Sequence, residues 1–547
     1  MALLKKLIYS LILVIGVSSM GSTQGMESQF DKMLGEMFPA SEPGAAALVA
    51  INGKIVYQKA FGMANLELDV KMEPDMVFEI GSITKQFTAV AVLMLVEQGK
   101  LSLDDDITKY IADYPTHGHH ISIHHLLTHT SGIKSYTSME NWPPVWRLDY
   151  KPLELIDFFK NEPMDFEPGE AWLYNNSAYF ILGYVIEKAS GQPYGQFIEK
   201  NIFEPLGMKS SSYGSTSEII KKRAYGYQKN EGYINAEFLS LTQPYAAGSL
   251  MSTVGDLFIW NRAVRSNKLV KKESIDLAFT NYKLNNGNET NYGYGWGINE
   301  INGSPTLEHS GGIFGYVTNS IYLPDEDVFV ALFLNCDCND PGQVSTRMAA
   351  IAIGKPYPDQ TSWISVEPDD LKKLVGVYDF ADGSSRTVTL EGNQLYSQRT
   401  GSNKIKLFPT SKRTFSFENS LAGIEFRENG TEITASFTNR MNKTEGKKTD
   451  KPIAVLTEVQ LDEETLKNYT GVYEVTPDFE IAVTLENGKL MAQATGQPKF
   501  EIFPESRTKF FLKVVDARME FIESDNGRFE SFILHQGGQE ITARKKH

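Results

Sequence analysis

A serine and a lysine three residues apart are the first residues in this sequence whose spacing suggests catalysis. Ser82 and Lys85 lie directly before an apolar stretch, Phe87 to Val96. Residues three apart on a helix share a face, so the amine of Lys85 should lie one turn above the hydroxyl of Ser82. A serine nucleophile without a catalytic triad needs such a base, and a helix N-terminus favours an oxyanion there. Alone, Ser-x-x-Lys is also an ordinary helix start.

Two later segments could complete such a site. The segment Tyr174–Asn176 offers a phenol, which is a poor base at its ordinary pKa of about 10 unless a cation such as Lys85 lowers that value. The segment His309–Gly312 comes just before a predicted strand. Its glycines would let the backbone approach a substrate closely and point an N–H group at it.

Taken in order, these motifs resemble the three signatures of the class C beta-lactamase-related serine hydrolases. The signatures are Ser82-x-x-Lys85, Tyr174-x-Asn176 and His309-x-Gly311, and two further matches are Leu126–Gly132 and Gly248–Thr253. The resemblance covers roughly residues 35 to 350. This family contains beta-lactamases, DD-peptidases, D-aminopeptidases and esterases. Two beta domains after the catalytic domain also resemble the D-aminopeptidase architecture.

The resemblance implies a role for each residue. Ser82 would attack the carbonyl, and Lys85 and Tyr174 would transfer protons, with the identity of the general base left open. Asn176 would hydrogen-bond the substrate amide or Lys85. The backbone N–H groups of Ser82 and Gly312 would form an oxyanion hole, worth about 3–4 kcal/mol per donor.

Substrate binding is implied for Asn176, His309, Gly311 and Gly312. His309 stands where beta-lactamases of this class usually carry lysine. Because a largely neutral imidazole is a weaker anchor for a carboxylate, this departure favours a peptidase or an esterase over a beta-lactamase.

The resemblance therefore implies an exported serine hydrolase that forms an acyl-enzyme with an amide or ester. The expected activity is that of a DD-peptidase, a D-aminopeptidase or a carboxylesterase, with a small peptide, ester or beta-lactam-like substrate and no cofactor. The alternatives are a beta-lactamase and a non-catalytic penicillin-binding or sensor protein. Intact Ser82, Lys85, Tyr174 and His309 argue against a non-catalytic scaffold. The exact substrate and the oligomeric state stay open.

A group of histidines raises the question of a metal site. Six of the nine histidines lie between His117 and His129. They lack the acidic partners of a metallohydrolase motif, and His129 belongs to the Leu126–Gly132 segment. We therefore predict no metal.

The scaffold that positions the candidate catalytic residues is predicted to span residues 26–353. Strand patterns lie at both ends of this region, and helical patterns lie between them. Ala45 to Ile51 and Ile55 to Ala60 flank Asn52-Gly53, which is typical of a hairpin turn. Gly315 to Leu323 and Val328 to Leu334 read as a second strand pair. The pattern predicts an α/β (α+β) class, with one mainly antiparallel sheet and an inserted helical lobe, as in the beta-lactamase/transpeptidase-like fold.

An internal repeat follows a predicted linker at residues 354–370, which contains Pro356, Pro358 and Pro368. Landmarks that recur 95 residues later are Gly376 and Gly471, Phe408 and Phe503, Phe415 and Phe510, and Phe426 and Phe521. The constant offset predicts two duplicated all-β domains, at residues 371–450 and 460–547. Each copy has room for about eight short strands in a barrel or sandwich. We expect the polar segment from Lys443 to Pro452 to lie in the connection.

Composition narrows the partners and the compartment. A formal charge of −15 over 547 residues argues against nucleic acid, which needs clustered basic residues. Residues 1–25 place Lys5 and Lys6 before an apolar run, Leu7 to Val17, and small residues after it, which predicts a secretory signal peptide. No later segment is apolar enough to span a bilayer, so we expect a secreted or periplasmic protein without a transmembrane span after signal removal.

The cysteines are Cys336 and Cys338. On an extended strand they would share a face, but a bridge between residues two apart would strain the disulfide geometry. We expect packing residues rather than a disulfide.

Overall fold

The computed structural model describes residues 24–546, except residues 454–457, 477–478, 513, 516, 525–526 and 537–538. Two compact units divide the chain, the first ending at Tyr357 and the second beginning at Pro358. Residues 1–23 of the predicted signal peptide lie outside the described residues. In the part of the chain that the structure describes, no helix is long and apolar enough to cross a membrane.

A six-stranded antiparallel sheet forms the centre of the first unit. The strands of this unit are β1 (Ala45–Ile51), β2 (Lys54–Phe61), β3 (Met63–Asn65), β4 (Val70–Lys71), β5 (Phe78–Glu79), β6 (Ser212–Tyr213), β7 (Tyr227–Asn230), β8 (Gly232–Asn235), β9 (Leu250–Ser252), β10 (Gly297–Ile301), β11 (Ser304–Ile313), β12 (Tyr316–Leu323) and β13 (Val328–Leu334). The strand order of the sheet is β10-β11-β12-β13-β1-β2. Asn52 and Gly53 join β1 to β2 with φ of 50° and 70°, which confirms the predicted hairpin turn.

Helices pack on both faces of this sheet, and all of them except the first and the last lie in the long insertion between β2 and β10. They are α1 (residues 24–37), α2 (Thr84–Glu97), α3 (Ile123–Leu127), α4 (Pro152–Phe159), α5 (Asn176–Ser190), α6 (Tyr194–Ile198), α7 (Glu204–Leu206), α8 (Tyr245–Gly248), α9 (Val254–Val264), α10 (Lys272–Ala278) and α11 (Pro341–Ala352). This architecture confirms the predicted antiparallel sheet with an inserted helical lobe.

Strand β13 shows why the sequence reads as a continuous apolar run. Alternate residues of a strand point to opposite faces of a sheet. Phe329 and Phe333 pack in the larger core with the helical lobe, whereas Val330 and Leu332 pack in a second core with α1 and α11. Both faces of the strand are therefore buried.

Helix α2 is buried on all sides, as its uniformly apolar pattern predicts. Its polar side chains consequently need partners inside the protein. The Thr88 hydroxyl donates to the Ala246 carbonyl at 2.6 Å, and the Gln86 side-chain oxygen accepts from the Trp260 indole at 3.1 Å. Lys85, on the same helix, is described with the site below.

The two cysteines form a disulfide, so the expectation of two unbridged packing residues is wrong. Cys336 and Cys338 follow β13, where the chain turns instead of staying extended. Their Cα atoms are 5.2 Å apart, compared with about 7 Å for residues two apart on an extended chain. The turn brings them into the normal range for a disulfide.

The second unit contains two closed antiparallel barrels of eight strands each. The first comprises β14 (Gly376–Phe380), β15 (Ser385–Glu391), β16 (Gln394–Arg399), β17 (Lys404–Pro409), β18 (Thr414–Phe417), β19 (Gly423–Asn429), β20 (Glu432–Asn439) and β21 (Asn442–Thr449), preceded by α12 (Pro368–Leu374). The second comprises β22 (Gly471–Thr476), β23 (Phe479–Glu486), β24 (Lys489–Ala494), β25 (Phe500–Pro504), β26 (Lys509–Leu512), β27 (Ala517–Glu523), β28 (Phe529–Gln536) and β29 (Gln539–Lys545), preceded by α13 (Glu463–Lys467). The predicted pair of all-β domains is confirmed, as barrels rather than sandwiches; the limits 354–370, 371–450 and 460–547 stay predictions.

Equivalent residues of the two barrels occupy equivalent places. Gly376 and Gly471 begin β14 and β22 with φ of 155° and 154°, and each lies against a lysine side chain. The hydroxyls of Tyr378 and Tyr473 each donate to the carbonyl four residues earlier, at 2.8 Å. These shared contacts agree with the repeat read from the sequence.

The segment from Lys443 to Pro452 does not lie wholly in the connection between the barrels, because β21 takes up most of it. This strand is polar and lacks alternating apolar residues. At its buried position Gly446 lies beside Phe380, where an added Cβ would come within 2.9 Å of the ring. Phe380 fills the space that an apolar side chain of β21 would otherwise fill.

Candidate active site

Ser82 lies in a short 3-10 turn, Gly81–Ile83, that leads directly into α2. Lys85, in the first turn of α2, points its amine back to this residue. The Lys85 Nζ atom lies 3.0 Å from Ser82 Oγ, 2.8 Å from Asn176 Oδ1 and 2.9 Å from the Ala247 carbonyl oxygen. The structure thus brings Ser82, Lys85 and Asn176 together.

The partners of Lys85 fit a neutral amine. Its side chain is fully buried, and in the described part of the chain it forms no ion pair. Burial penalises the charged form and lowers the pKa of Lys85 well below its ordinary value. A neutral amine has two N–H groups for the obligate acceptors Asn176 Oδ1 and Ala247 O. Its lone pair is then free to face the Ser82 hydroxyl.

Tyr174 lies next to Lys85. The Lys85 Nζ atom is 4.7 Å from the centroid of its ring. Its hydroxyl is buried and has no hydrogen-bond partner among the described residues. Burial raises the pKa of Tyr174, an effect that the nearby Ser82 side chain only partly offsets. Tyr174 therefore keeps its proton in the resting site.

Asn176 is held on both sides of its amide. While its oxygen accepts from Lys85, its Nδ2 atom donates to the Thr137 hydroxyl at 3.1 Å. Its backbone N–H donates to Ser135 Oγ at 3.2 Å. The sequence analysis expects Asn176 to bond either the substrate amide or Lys85, and in the structure it bonds Lys85.

His309 lies on β11 and is almost fully buried. Its Nδ1 atom is 2.6 Å from the Ser310 carbonyl, which can only accept, so the ring proton is on Nδ1. Its Nε2 atom consequently accepts from the Tyr292 hydroxyl, at 2.8 Å. Burial is the main cause that lowers the pKa of His309, to about 3. The imidazole is neutral, and both its nitrogens are already bonded.

Gly311 and Gly312 bring β11 against the turn that carries Ser82. A Cβ at Gly311 would lie 2.0 Å from the Ile80 carbonyl oxygen, and one at Gly81 would lie 2.9 Å from the Gly312 nitrogen. Only glycine permits this approach, because a larger residue would push the two segments apart. The backbone N–H of Gly312 therefore lies next to the Gly81-Ser82 backbone. Around Gly312 itself the space is open.

The structure also brings His129 and Tyr292 to the site, two residues that sequence reasoning did not assign to it. The His129 ring centroid is 4.5 Å from that of Tyr174 and 4.8 Å from that of Tyr292. Its Nδ1 atom accepts the backbone N–H of Asn175 at 3.1 Å, which fixes the chain between Tyr174 and Asn176. In the sequence, the Leu126–Gly132 match could have pointed to His129. No motif pointed to Tyr292, which lies in a Gly-rich segment.

Three other histidines of the 117–129 group have ordinary partners. His124 Nδ1 is 2.8 Å from the Tyr294 hydroxyl, and His125 caps the first turn of α3. His120 lies beside Asp104 and Asp106. Within the described residues, no group of three or more His, Cys, Asp or Glu side chains is arranged to hold a metal ion.

Comparison with known proteins identifies the family. Residues 31–354 match the family model described as Beta-lactamase. The chain belongs to the beta-lactamase family. Its relatives on this fold are serine hydrolases of the beta-lactamase/transpeptidase superfamily. Residues 457–545, which include the second barrel, match a Domain of unknown function (DUF3471).

Individual relatives cover most of the chain. It is 30% identical over 404 residues to penicillin-binding protein 4* of Bacillus subtilis (strain 168), covering 69% of this chain and 89% of that protein. The octameric penicillin-binding protein homologue from Pyrococcus abyssi is 29% identical with a TM-score of 0.54, covering 77% of this chain and 99% of that one. A D-stereospecific amidohydrolase from Streptomyces sp. is 25% identical with a TM-score of 0.51, covering 61% and 98%.

Proposed function

We propose that this member of the beta-lactamase family hydrolyses a small peptide-like amide or ester through an acyl-enzyme on Ser82. The observation that carries the proposal is the set of partners around Lys85. Two obligate acceptors and one hydroxyl surround a buried amine whose pKa burial lowers. Such an amine can accept the proton of Ser82 Oγ at neutral pH.

The acylation step can be followed atom by atom. Ser82 Oγ attacks the carbonyl carbon of the substrate while its proton passes to Lys85 Nζ. The backbone N–H groups of Ser82 and Gly312 stabilise the oxyanion. As the tetrahedral intermediate collapses, the leaving amine or alcohol takes the proton of the Tyr174 hydroxyl, and Lys85 returns one to Tyr174. Water then attacks the ester carbonyl, with its proton passing to Lys85. When this second intermediate collapses, Lys85 returns the proton to Ser82 Oγ, which releases the carboxylic acid and restores the resting site.

The state of Tyr174 supports this division of roles. Burial raises its pKa, so the phenol is the better proton donor and Lys85 the better acceptor. We therefore assign Lys85 as the general base for attack and Tyr174 as the acid for departure, which the sequence leaves open.

The environment of His309 supports an amide or ester substrate rather than a beta-lactam. A permanent cation at this position would anchor a carboxylate, but His309 is neutral and its Nε2 is already bonded to Tyr292. A D-aminopeptidase or carboxylesterase substrate needs no such anchor, whereas a DD-peptidase substrate ends in a carboxylate. We therefore place D-aminopeptidase or carboxylesterase activity first and DD-peptidase activity second. The D-stereospecific amidohydrolase among the similar structures supports testing D-amino-acid amides first.

Labelling and turnover of a Ser82→Ala variant test the nucleophile. Wild type should react with a fluorescent fluorophosphonate and a fluorescent penicillin, whereas Ser82→Ala should take up neither and lose turnover. Ser138→Ala, which changes an exposed serine near the site, is the matched control and should label like wild type. Equal labelling of Ser82→Ala would refute the assignment.

A substrate panel separates the activities. It contains a D-aminoacyl anilide, a D-Ala-D-Ala peptide, a short-chain nitrophenyl ester and a chromogenic cephalosporin. We expect the highest kcat/KM with an anilide, peptide or ester; the highest kcat/KM with the cephalosporin would contradict the peptidase or esterase proposal.

We also propose that the protein is exported and loses residues 1–25. The basic, apolar and small-residue order of this segment supports the proposal. N-terminal sequencing of the mature protein should begin near residue 26, and a retained N-terminus would contradict it.

A further inference from the structure

Two arginines face each other at one end of the first barrel. Arg386 on β15 pairs directly with Arg399 on β16, where the β14–β15 and β16–β17 hairpins lie; we call this the hairpin end. Val388 and Leu395 belong to the barrel core, and residues two apart on a strand share a face, so both arginines are on the inward side. Like charges directly opposite on neighbouring strands are destabilising. This pair therefore needs an explanation.

Arg386 is enclosed by aromatic rings. Its guanidinium carbon lies 4.0 Å from the ring centroid of Phe437, 5.6 Å from that of Phe417 and 5.9 Å from that of Phe380. Its Nε atom is buried and has no hydrogen-bond partner in the described part of the chain. Burial and the neighbouring Arg399 lower the pKa of Arg386 to about 10, an effect that Asp382 only partly offsets. The rings hold the guanidinium plane but leave its Nε donor without a partner among the described residues.

The carboxylate nearest in sequence is Asp382. Hydrogen bonds from Ser384 and, less strongly, the charges of Arg399 and Arg386 lower its pKa, so it lies near both arginines. Asp382 Oδ1 accepts from the backbone N–H of Ser384 at 2.9 Å and from its hydroxyl at 2.7 Å. Among the described residues it forms no ion pair with Arg386. One carboxylate therefore lies near two arginines, and the three groups together carry a net charge of +1.

A second unpartnered polar group lies on the neighbouring strand. Ser397 is 1% exposed, and its Oγ atom has no hydrogen-bond partner among the described residues. It pairs with Val388, so it lies diagonally across from Arg386, with the Cα atoms about 7–8 Å apart. Buried polar groups are normally hydrogen-bonded, so a missing ligand is the simplest explanation for Arg386 and Ser397 together.

The second barrel shows that the fold does not require these groups. There the same register pairs Ile481 with Ala494 and Val483 with Ala492. The residues in the places of Arg386, Arg399 and Ser397 are Ile481, Ala494 and Ala492. An all-apolar set closes the second barrel, whereas the first carries two charges and a hydroxyl at the same positions. The difference between two copies of one domain points to a function of the first copy.

We propose that the hairpin end of the first barrel binds a small oxyanion, a carboxylate or a phosphate group, through Arg386, Arg399 and Ser397. The guanidinium of Arg386 offers a planar set of N–H donors that matches both groups. An anion between the arginines removes their repulsion, and it accepts a hydrogen bond from Ser397. The aromatic rings keep the arginine in place and exclude water, which strengthens the charged contact.

Calorimetric titration of the full-length protein with benzoate, benzamide and inorganic phosphate tests the site. At least one anion should bind wild type, and benzamide, the neutral analogue of benzoate, should not bind there. Arg386→Ile, which installs the residue of the second barrel, should weaken anion binding by at least about tenfold. Arg413→Ile is the matched control: it removes a half-exposed arginine from the β17–β18 turn, away from this pair, and should bind like wild type.

The outcomes separate the ligand classes and can overturn the proposal. Binding of benzoate alone identifies a carboxylate site, and binding of phosphate alone identifies a phosphate site. Anion binding at the Ser82 site would persist in Arg386→Ile, so only the difference between wild type and variant counts. No binding of either anion, or equal binding by Arg386→Ile, refutes the proposal. If Arg386→Ile does not fold, Arg399→Ala, which truncates an exposed side chain, decides the question in the same way.

Discussion

The amide oxygen of Asn176 lies 2.8 Å from the amine of Lys85 and is the side-chain acceptor of that amine. A neutral amide accepts a hydrogen bond without bringing a charge into the site. A carboxylate at the same place would stabilise the ammonium form. In the proposed mechanism, an amide rather than an acid at this position keeps Lys85 neutral, even though Asn176 need not touch the reacting bond.

Asn176→Asp should move the acid limb of the kcat/KM profile to higher pH, by about 1–3 units. A carboxylate beside Lys85 raises its pKa by roughly that amount, and the protonated amine has no lone pair for Ser82. Ester hydrolysis measured from pH 5 to 10 gives the midpoint. Thr137→Val removes the hydroxyl that accepts from the Asn176 side chain, without adding charge, and should leave the midpoint of the profile unchanged. A profile unchanged in Asn176→Asp would show that Lys85 is not the base.

Tyr174→Phe should lower kcat by about 10²–10⁴ while leaving the free energy of unfolding nearly unchanged. The hydroxyl has no partner whose loss would destabilise the fold, and the ring keeps its packing against His129. Lys85→Ala and the double variant should lose similar activity, because residues that act as a unit are not additive. Additive losses would indicate independent roles.

At the scale of the elements, strand β11 packs directly against the turn that carries Ser82, and this contact fixes the position of the turn. Gly311→Ala should reduce kcat/KM by about 100-fold and destabilise the first unit by about 1–3 kcal/mol, because its methyl group would overlap the Ile80 carbonyl. Gly312→Ala, one residue later in open space, should change the free energy of unfolding by less than about 0.5 kcal/mol. Urea unfolding and ester kinetics measure both. Equal stability of the two variants would contradict the packing argument.

The strands and the buried helix could be predicted because their periodicity is local. The Asn52-Gly53 turn and the run from Val328 to Leu334 carry enough information by themselves, and the structure has them where expected. Strand β21 was misplaced because Phe380, on another strand, fills its space. The Cys336–Cys338 disulfide was missed because it depends on a turn that the apolar pattern does not reveal.

The site could be predicted only as far as its motifs reach. Ser82, Lys85 and Asn176 meet as expected, because two of them share one turn of helix. The hydrogen bond from Tyr292 to His309 joins a loop to a strand, and such a pairing has no local signal. The large pKa shift of His309 depends on its burial in the folded site, which no spacing rule in the sequence could supply.

At the scale of the whole molecule, buried neutral histidines link stability to pH. Burial holds the pKa of His309 at about 3, that of His124 at about 4 and that of His129 well below its ordinary value. Below about pH 6.5 these histidines bind protons in the unfolded chain but not in the folded chain. The free energy of unfolding therefore falls as pH falls. Each histidine contributes up to about 1.4 kcal/mol per pH unit.

Urea unfolding at pH 7.5, 6.0 and 5.0 should therefore show a progressive loss of stability in the first unit. Tryptophan fluorescence reports on it, because every tryptophan except Trp363 precedes residue 358. His309→Asn should reduce the slope between pH 6.5 and 4, since it removes one of the groups that titrate only on unfolding. Equal stability at pH 7.5 and 5.0 would contradict the linkage.

The sheet joins the two ends of the first unit, and this has a consequence for synthesis. Strand β1 lies between β2 and β13, and next to it the Gly44 backbone bonds to Asn335, 291 positions later. At about 5–20 residues per second, the ribosome needs roughly 15–60 s to supply that partner. During this interval β1 and β2 form a hairpin with an open apolar edge, a template for wrong pairing with other chains. Each barrel, built from neighbouring strands, closes within a much shorter stretch of chain. The nascent protein is therefore most exposed to aggregation before β13 emerges, and its yield should depend on what shields β1 until then.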